Sequence, residues 1–271
     1  MCFYNSFSAR ALALAKRYGR KTDIIEEMYE LLDDQYKITA FTHSDCSIIS
    51  FDQSIDVAKW GLIPHWTKTP EEAAKIRKMT INARSESAFN LPSFRSAIFS
   101  KRCLIPSTGY FEFHHSGKEV IPYFIFLKNE EIFSLGALYE IWLNPSTNEQ
   151  VKTFSVLTVP ANELCAKIHN GGKNPFRMPL IIGREQEEHW LDGSLNVNDI
   201  KSFFLPFETA AMDAYPITRD FIKRSSKDSS ITSSQLNPAR GLPITRMFNN
   251  SSNRACSVLQ SSVSCFYCDC L

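Results

Sequence analysis

A cysteine stands at position 2, directly after the initiator Met1. Methionine aminopeptidase accepts a small second residue, so removal of Met1 makes Cys2 the mature N-terminus. Such a residue carries a thiol with a pKa of about 8.5 beside an α-amine with a pKa of about 7.7–8.0. This pair can condense with an aldehyde to a thiazolidine, or the thiol can attack an acyl carbon with the amine as base. The alternative is a small residue at a frayed terminus.

Two further segments place polar side chains inside apolar runs. Asn82 and Arg84 lie two residues apart at the end of a predicted strand, so both point to one face. The amide suits carbonyl or hydroxyl groups and the guanidinium suits a phosphate, although a turn asparagine beside a surface arginine fits equally well. Glu112 lies between aromatic residues and is either exposed or half-buried with a raised pKa, which suits a general acid or base.

His169 is predicted at the C-terminus of a helix over 162–169, which Asn162 can cap and a glycine pair can end. The helix dipole there favours the imidazolium, and a capping role is the alternative to catalysis. Arg177 follows the glycine loop and is a further candidate for binding an anion.

Two tryptophans, Trp60 and Trp66, flank a Gly/Pro turn. If exposed beside Arg84, Arg102 and Arg177, they would form a platform on which unpaired bases stack. Burial in the core is the alternative, and we expect it for at least one of the two.

These residues must be positioned by a chain of 271 residues that is 44% hydrophobic and carries a net charge of +1. The composition is that of a globular protein, and the charge neither favours nor excludes a nucleic-acid partner. No apolar run reaches the roughly 20 residues needed to cross a bilayer, and no signal peptide is evident. We therefore expect a cytoplasmic protein, nucleoid-associated when bound to DNA, with no membrane partner and with reduced thiols.

Apolar periodicity predicts a helix over 6–18 that ends at Gly19 and a second amphipathic helix that begins near Asp23. From about residue 36 the pattern changes to short strands, with helices predicted at 70–79, 162–169 and 184–192. The fold class is therefore α+β. The predicted strands are YKITAF, CSIISF, VAKWGLI, AIFSKRCLIP, YFEF, PYFIFL, IFSLGALYEIWL and TFSVLTV.

Residues 225–271 form a Ser- and Cys-rich tail, which we expect to be disordered or accessory and dispensable. One tight cysteine cluster without a downstream histidine does not resemble a zinc site. We therefore expect neither a metal nor a cofactor. The cysteines concerned are Cys256, Cys265, Cys268 and Cys270.

Taken in this order, several segments resemble the SOS-response-associated peptidase (SRAP) family, and they cover residues 1 to about 220. The resemblance implies a mostly antiparallel, barrel-like β core with flanking helices over residues 1–224. The matching segments are Met1-Cys2, WGLIPHW, INARSES, KRCLIPSTGYFEF, FSVLTVPAN, IHN and RMPLII.

The resemblance also implies a function and a set of roles. Members act on abasic sites in single-stranded DNA through a covalent cross-link to the N-terminal cysteine, so abasic single-stranded DNA is the expected partner of a monomer. Self-processing at Met1 and a lyase-like activity are implied as well. By position, the catalytic residues are Cys2, Asn82, Glu112 and His169. The DNA-contacting arginines are Arg84 and Arg177, and the pocket threonine is Thr158.

The chain departs from the family pattern at three places. Phe3 and Tyr4 replace the usual Gly-Arg, Phe113 replaces a tryptophan, and a longer segment separates His169 from Arg177. Two other functions stay open: an amidohydrolase with an N-terminal nucleophile, and a non-catalytic reader of single-stranded or modified DNA. A glutaminase assay separates the first, and DNA binding that survives loss of Cys2 identifies the second.

Overall fold

Strands dominate the protein because its apolar runs are short and rich in Phe, Ile, Val and Tyr, which pack well on a pleated sheet. A computed structural model describes residues 2–7, 11–19, 35–51 and 55–233. Its strands are β1 (Tyr4–Phe7), β2 (Gln35–Thr39), β3 (Asp45–Ile49), β4 (Ile55–Trp60), β5 (Asn82–Arg84), β6 (Arg102–Ser107), β7 (Gly109–Ser116), β8 (Glu119–Leu127), β9 (Phe133–Leu143), β10 (Gln150–Pro160), β11 (Arg177–Pro179), β12 (Ile181–Ile182) and β13 (Met212–Pro216).

Short helices connect and flank the strands. The α-helices are α1 (Ala11–Tyr18), α2 (Pro70–Met79), α3 (Ala97–Ser100), α4 (Glu163–Ile168), α5 (Glu187–Leu191), α6 (Val197–Ser202) and α7 (Ser230–Ser233). Turns of 3-10 helix lie at Ala40–Thr42, Arg184–Gln186, Thr209–Ala211 and Arg219–Lys223.

Five strands close into a barrel in the order β10-β4-β3-β6-β9, because β9 also pairs with β10. All pairs in this ring are antiparallel except β10 with β4. Closure leaves no open sheet edge around the ring. The predicted class, α+β with a mostly antiparallel, barrel-like core, is confirmed.

A second sheet has the order β13-β8-β7-β1-β2. The N-terminal strand β1 therefore lies inside this sheet, between β7 and β2, with Tyr4 opposite Phe111 and Thr39. Hydrogen bonds on both sides hold β1, so Cys2, two residues before the strand, occupies a defined position.

Most helices agree with the sequence predictions, whereas the predicted helix over 6–18 was wrong at its start. Residues 4–7 pair as β1, and the helix runs only over Ala11–Tyr18 before Gly19, whose φ is +61°. The predicted strand over 97–106 divides into α3 and β6. The second helix near Asp23 and the tail cysteines lie outside the described residues.

The packed region extends past residue 224. Ile231 in α7 has no exposed surface and packs with Phe111, Ile217 and Phe221. In the described part of the chain, no helix is long and apolar enough to cross a membrane. Within the same residues, no group of three His, Cys, Asp or Glu side chains is arranged to hold a metal ion.

Candidate active site

The site forms where the N-terminal strand meets β5, β7 and the end of α4. Asn82 begins β5, and its Nδ2 donates a hydrogen bond of 2.9 Å to the carbonyl oxygen of Cys2. The Oδ1 of Asn82 is buried and has no hydrogen-bond partner among the described residues. The amide therefore fixes the backbone of Cys2 and keeps an acceptor for a ligand hydroxyl.

Cys2 itself has no exposed surface. Burial raises the pKa of its thiol far above the ordinary value, and the charge of Glu112 raises it further. The thiol is consequently protonated at neutral pH and needs a base to become a nucleophile.

Glu112 supplies a candidate base from β7, where it is 3% exposed. Burial raises the pKa of this carboxyl from 4.5 to about 7. Near neutral pH both its protonated and ionised forms are populated, so the group can accept or donate a proton.

His169 faces the same carboxyl from the C-terminus of α4. Its Nε2 lies 3.9 Å from Oε2 of Glu112, and the residue is 7% exposed. Burial lowers the pKa of the imidazole to about 4, so it is neutral at pH 7. Nδ1 lies 3.0 Å from the carbonyl oxygen and 3.3 Å from the backbone nitrogen of Arg177, so both tautomers fit, and the one with a proton on Nδ1 leaves Nε2 as an acceptor toward the site.

Local hydrogen bonds fix both ends of helix α4, which lies between the caps Asn162 and His169. Asn162 caps its N-terminus by accepting a 2.9 Å hydrogen bond from the backbone N–H of Cys165. The His169 N–H bonds to the carbonyl of Cys165 at 2.7 Å, and its carbonyl accepts from Phe176 at 2.7 Å. The loop between His169 and Arg177 therefore folds back on the helix end.

A second contact joins β7 to α4 one layer deeper. The hydroxyl of Tyr110 and the thiol of Cys165 lie 3.1 Å apart, and both residues are buried. Tyr110 precedes Glu112 by two residues on the strand, and Cys165 precedes His169 by four on the helix. This pair aligns the two elements that carry the acid–base groups, and sequence reasoning missed it because neither residue interrupts an apolar pattern.

Glu112 and His169 open into a pocket of about 300 Å³. Phe3, Phe113 and His115 line it together with the loop 171–174. The ring of His115 packs closely on Gly171, since a Cβ at this position would lie 2.4 Å from the ring. A volume of this size suits a small group rather than a folded peptide.

The two arginines predicted to bind anions differ in their exposure to solvent. Arg84 is exposed and donates to Asn174, which lines the pocket. Arg177 is 8% exposed and forms a two-point ion pair with Glu86. Its guanidinium also donates to the Thr158 carbonyl at 2.6 Å, and Thr158 is fully buried.

The predicted aromatic platform is only partly at the surface. Trp60 is 1% exposed, stacks on Phe154 and donates to the Ile81 carbonyl at 2.9 Å, so it belongs to the core and cannot stack a base. Arg102 is also interior, since its guanidinium donates to main-chain carbonyls, including that of Trp190. Trp66 is 42% exposed.

Comparisons with known proteins agree with this architecture. The abasic site processing protein YoqW of Bacillus subtilis is 36% identical over 162 residues, which are 59% of this chain and 67% of that protein. The abasic site processing protein HMCES of Xenopus tropicalis is 25% identical over 179 residues, 59% of this chain and 51% of its own length. The chain thus spans about half of that vertebrate relative.

Two crystal structures share the fold. A protein from Bacteroides thetaiotaomicron is 46% identical, with a TM-score of 0.84, over 87% of this chain and 100% of its own. A protein from Bordetella bronchiseptica, at 20% identity and a TM-score of 0.68, covers 80% of this chain and 100% of its own, and shows the fold alone. The model of the family SOS response associated peptidase (SRAP) matches residues 1–223. The chain therefore belongs to the SRAP family.

Proposed function

We propose that the protein processes abasic sites in single-stranded DNA by forming a covalent thiazolidine cross-link through Cys2. The observation that carries this proposal is the arrangement around Cys2. Its carbonyl is held by Asn82, and the neighbouring Glu112 and His169 line a pocket that admits a small aldehyde. The names of the relatives in Bacillus subtilis and Xenopus tropicalis, abasic site processing proteins, support the same substrate.

The reaction begins once Met1 has been removed, by the protein itself or by an aminopeptidase. The free α-amine of Cys2 attacks the C1 aldehyde of the ring-opened deoxyribose, and loss of water gives an imine. The thiol then adds to the imine carbon and its proton passes to the nitrogen, which closes the thiazolidine. The cross-link thus forms with one water released and no change in oxidation state.

Glu112 is suited to move the protons in both steps. Its carboxylate form can take the thiol proton, which the raised pKa of Cys2 makes necessary. Its protonated form can assist departure of the carbinolamine hydroxyl as water. A group whose pKa is about 7 performs both tasks at neutral pH.

His169 is suited to the sugar. A neutral imidazole with an accepting Nε2 can remove the proton of the anomeric hydroxyl when the ring opens, and return it during reversal. The unpartnered Oδ1 of Asn82 can accept a hydrogen bond from a hydroxyl of the opened chain.

The DNA backbone is proposed to bind along the side of the pocket that carries positive charge. Arg84 is exposed there, and Lys173 belongs to the pocket lining. Such phosphate contacts position a strand without reading its sequence. Arg177 would contribute a phosphate contact after exchange of its partner Glu86, and Trp66 offers an indole for an unpaired base.

The test is incubation with an oligonucleotide that carries one abasic site, followed by denaturing electrophoresis and intact-mass analysis. We expect a denaturant-stable adduct on a protein that lacks Met1, and binding to single strands that exceeds binding to duplex and weakens with salt. Cys2→Ala retains an amine and should give only a transient imine, while Cys46→Ala serves as the matched control because that thiol is buried in β3. A stable adduct on Cys2→Ala would refute the mechanism.

A further inference from the structure

Phe41 is a surface residue whose ring stacks on that of Phe3. It is 59% exposed, and its ring lies 5.1 Å from that of Phe3, centroid to centroid, with 24° between the planes. One face of Phe41 is therefore covered by Phe3, the ring of Tyr4 approaches at 5.7 Å with 60° between the planes, and more than half of the residue stays exposed to solvent.

The backbone holds this pair in place. The Ala40 N–H donates a 3.0 Å hydrogen bond to the Phe3 carbonyl, which extends the pairing of β2 with β1. The side chain of Thr39 accepts from the Phe41 N–H at 3.3 Å. His43 ends the turn in the left-handed region at a φ of 54° and bonds back to the Ala40 carbonyl. The exposed ring is thus presented by a fixed turn rather than by a loose loop.

Phe3 connects this aromatic pair to the pocket of the candidate site. Phe3 follows Cys2 directly and lines the same pocket as Glu112 and His169. Lys173 lines the pocket as well, and Asn174 in the same lining bonds to the exposed Arg84. Aromatic and cationic groups therefore border one pocket. This combination binds a single strand through its bases and its phosphates at the same time.

We propose that the exposed ring of Phe41, backed by Phe3, is a stacking subsite for the unpaired base next to the abasic nucleotide. The proposal rests on the proposed function, because the abasic sugar must enter the pocket for its neighbour to reach Phe41. Stacking on an aromatic ring accepts any base, so this subsite adds affinity without sequence preference.

The experiment measures binding of full-length protein to two oligonucleotides that carry a tetrahydrofuran analogue, which has no aldehyde and cannot react. The first holds one analogue between normal nucleotides, and the second holds three analogues in a row, so both bases that flank the central analogue are missing. Phe41→Ala should weaken binding to the first by roughly 5- to 150-fold. It should change binding to the second by less than about twofold.

Two control variants separate stacking from other effects. Phe41→Tyr retains a ring and should bind both oligonucleotides as the unsubstituted protein does. Phe51→Ala removes another exposed ring, 68% accessible and located just after β3, and should change neither affinity. Replacing each flanking base in turn by 2-aminopurine should show fluorescence quenching on one side only, and Phe41→Ala should abolish it.

Equal losses of affinity for both oligonucleotides, or no loss for either, would overturn the subsite. The genuine abasic oligonucleotide separates this from the proposed function. If an adduct forms but Phe41→Ala does not change the preference for flanking bases, the cross-linking function stands and the stacking subsite is rejected. The preference without any adduct supports the subsite and rejects the cross-linking chemistry, and absence of binding to either analogue rejects both.

Discussion

Replacing Glu112 by Gln should make the protein more stable in neutral and alkaline solution while it slows adduct formation. Burial raises the pKa of Glu112 from 4.5 to about 7, and each pKa unit corresponds to about 1.4 kcal/mol. Ionised Glu112 therefore destabilises the folded state by about 3 kcal/mol relative to the protonated form. Glutamine has the same shape and never ionises, so Glu112→Gln avoids that cost.

The sign of the pH dependence follows from the direction of the shift. Below pH 4.5 the carboxyl is protonated in the folded and unfolded states, and the two proteins should be similarly stable. Between pH 4.5 and about 7 the unfolded state ionises first, so the unsubstituted protein loses stability as pH rises. Above pH 7 the difference should level off, with Glu112→Gln more stable by about 3 kcal/mol.

Urea denaturation at several pH values between 4.5 and 8.5 measures this difference, with Glu208→Gln as the control for removal of an exposed carboxylate. Single-turnover adduct formation on the same samples should fall roughly 10²- to 10⁴-fold in Glu112→Gln. A stability difference that does not vary with pH would show that the carboxylate is solvated, and the acid–base role would lose its basis.

Three further outcomes are expected. His169→Ala should slow transfer of the adduct onto a competitor oligonucleotide at least as much as it slows formation, by roughly 10²- to 10⁴-fold, and time courses of both would show this; unchanged rates would return His169 to a capping role. Glu86→Gln should release Arg177 from its ion pair and tighten single-strand binding, with the slope of log K against log salt steeper by about 0.7; an unchanged slope would place Arg177 away from phosphate. A chain that ends at residue 224 should be less stable by about 2 kcal/mol than one that ends at 233, since it lacks the buried Ile231, and equal thermal midpoints would contradict that packing.

Local patterns predicted most of the secondary structure. Alternating apolar runs predicted β7 to β10, and the helix predicted at 70–79 forms as α2, where the side chain of Thr69 accepts a hydrogen bond from the Glu72 N–H. The start of the helix predicted over 6–18 was wrong because Ser6 and Phe7 fit a helix and a strand alike. The pairing of β1 with β7, about a hundred residues away in the chain, makes these residues a strand.

The sequence indicated which residues are candidates for the site but not which of them are exposed to solvent. Residue types and the resemblance indicated Cys2, Asn82, Glu112 and His169 as candidates. In the structure Asn82 bonds to the backbone of Cys2, and Glu112 and His169 line one pocket. Burial depends on the whole fold, so the sequence could not separate interior Trp60 from exposed Trp66. The hydrogen bond between Tyr110 and Cys165 could not be predicted either, since it joins side chains that are 55 residues apart in the chain.

The complete burial of Cys2 also bears on how the protein survives oxidants. Peroxides and alkylating agents react with the thiolate and need access to it. Cys2 offers neither, because its side chain has no exposed surface and its thiol pKa is strongly raised. Under the proposed function, the nucleophile would be kept in reserve as an unreactive thiol until Met1 is removed and a damaged strand binds, so that oxidation of the surroundings does not consume it first.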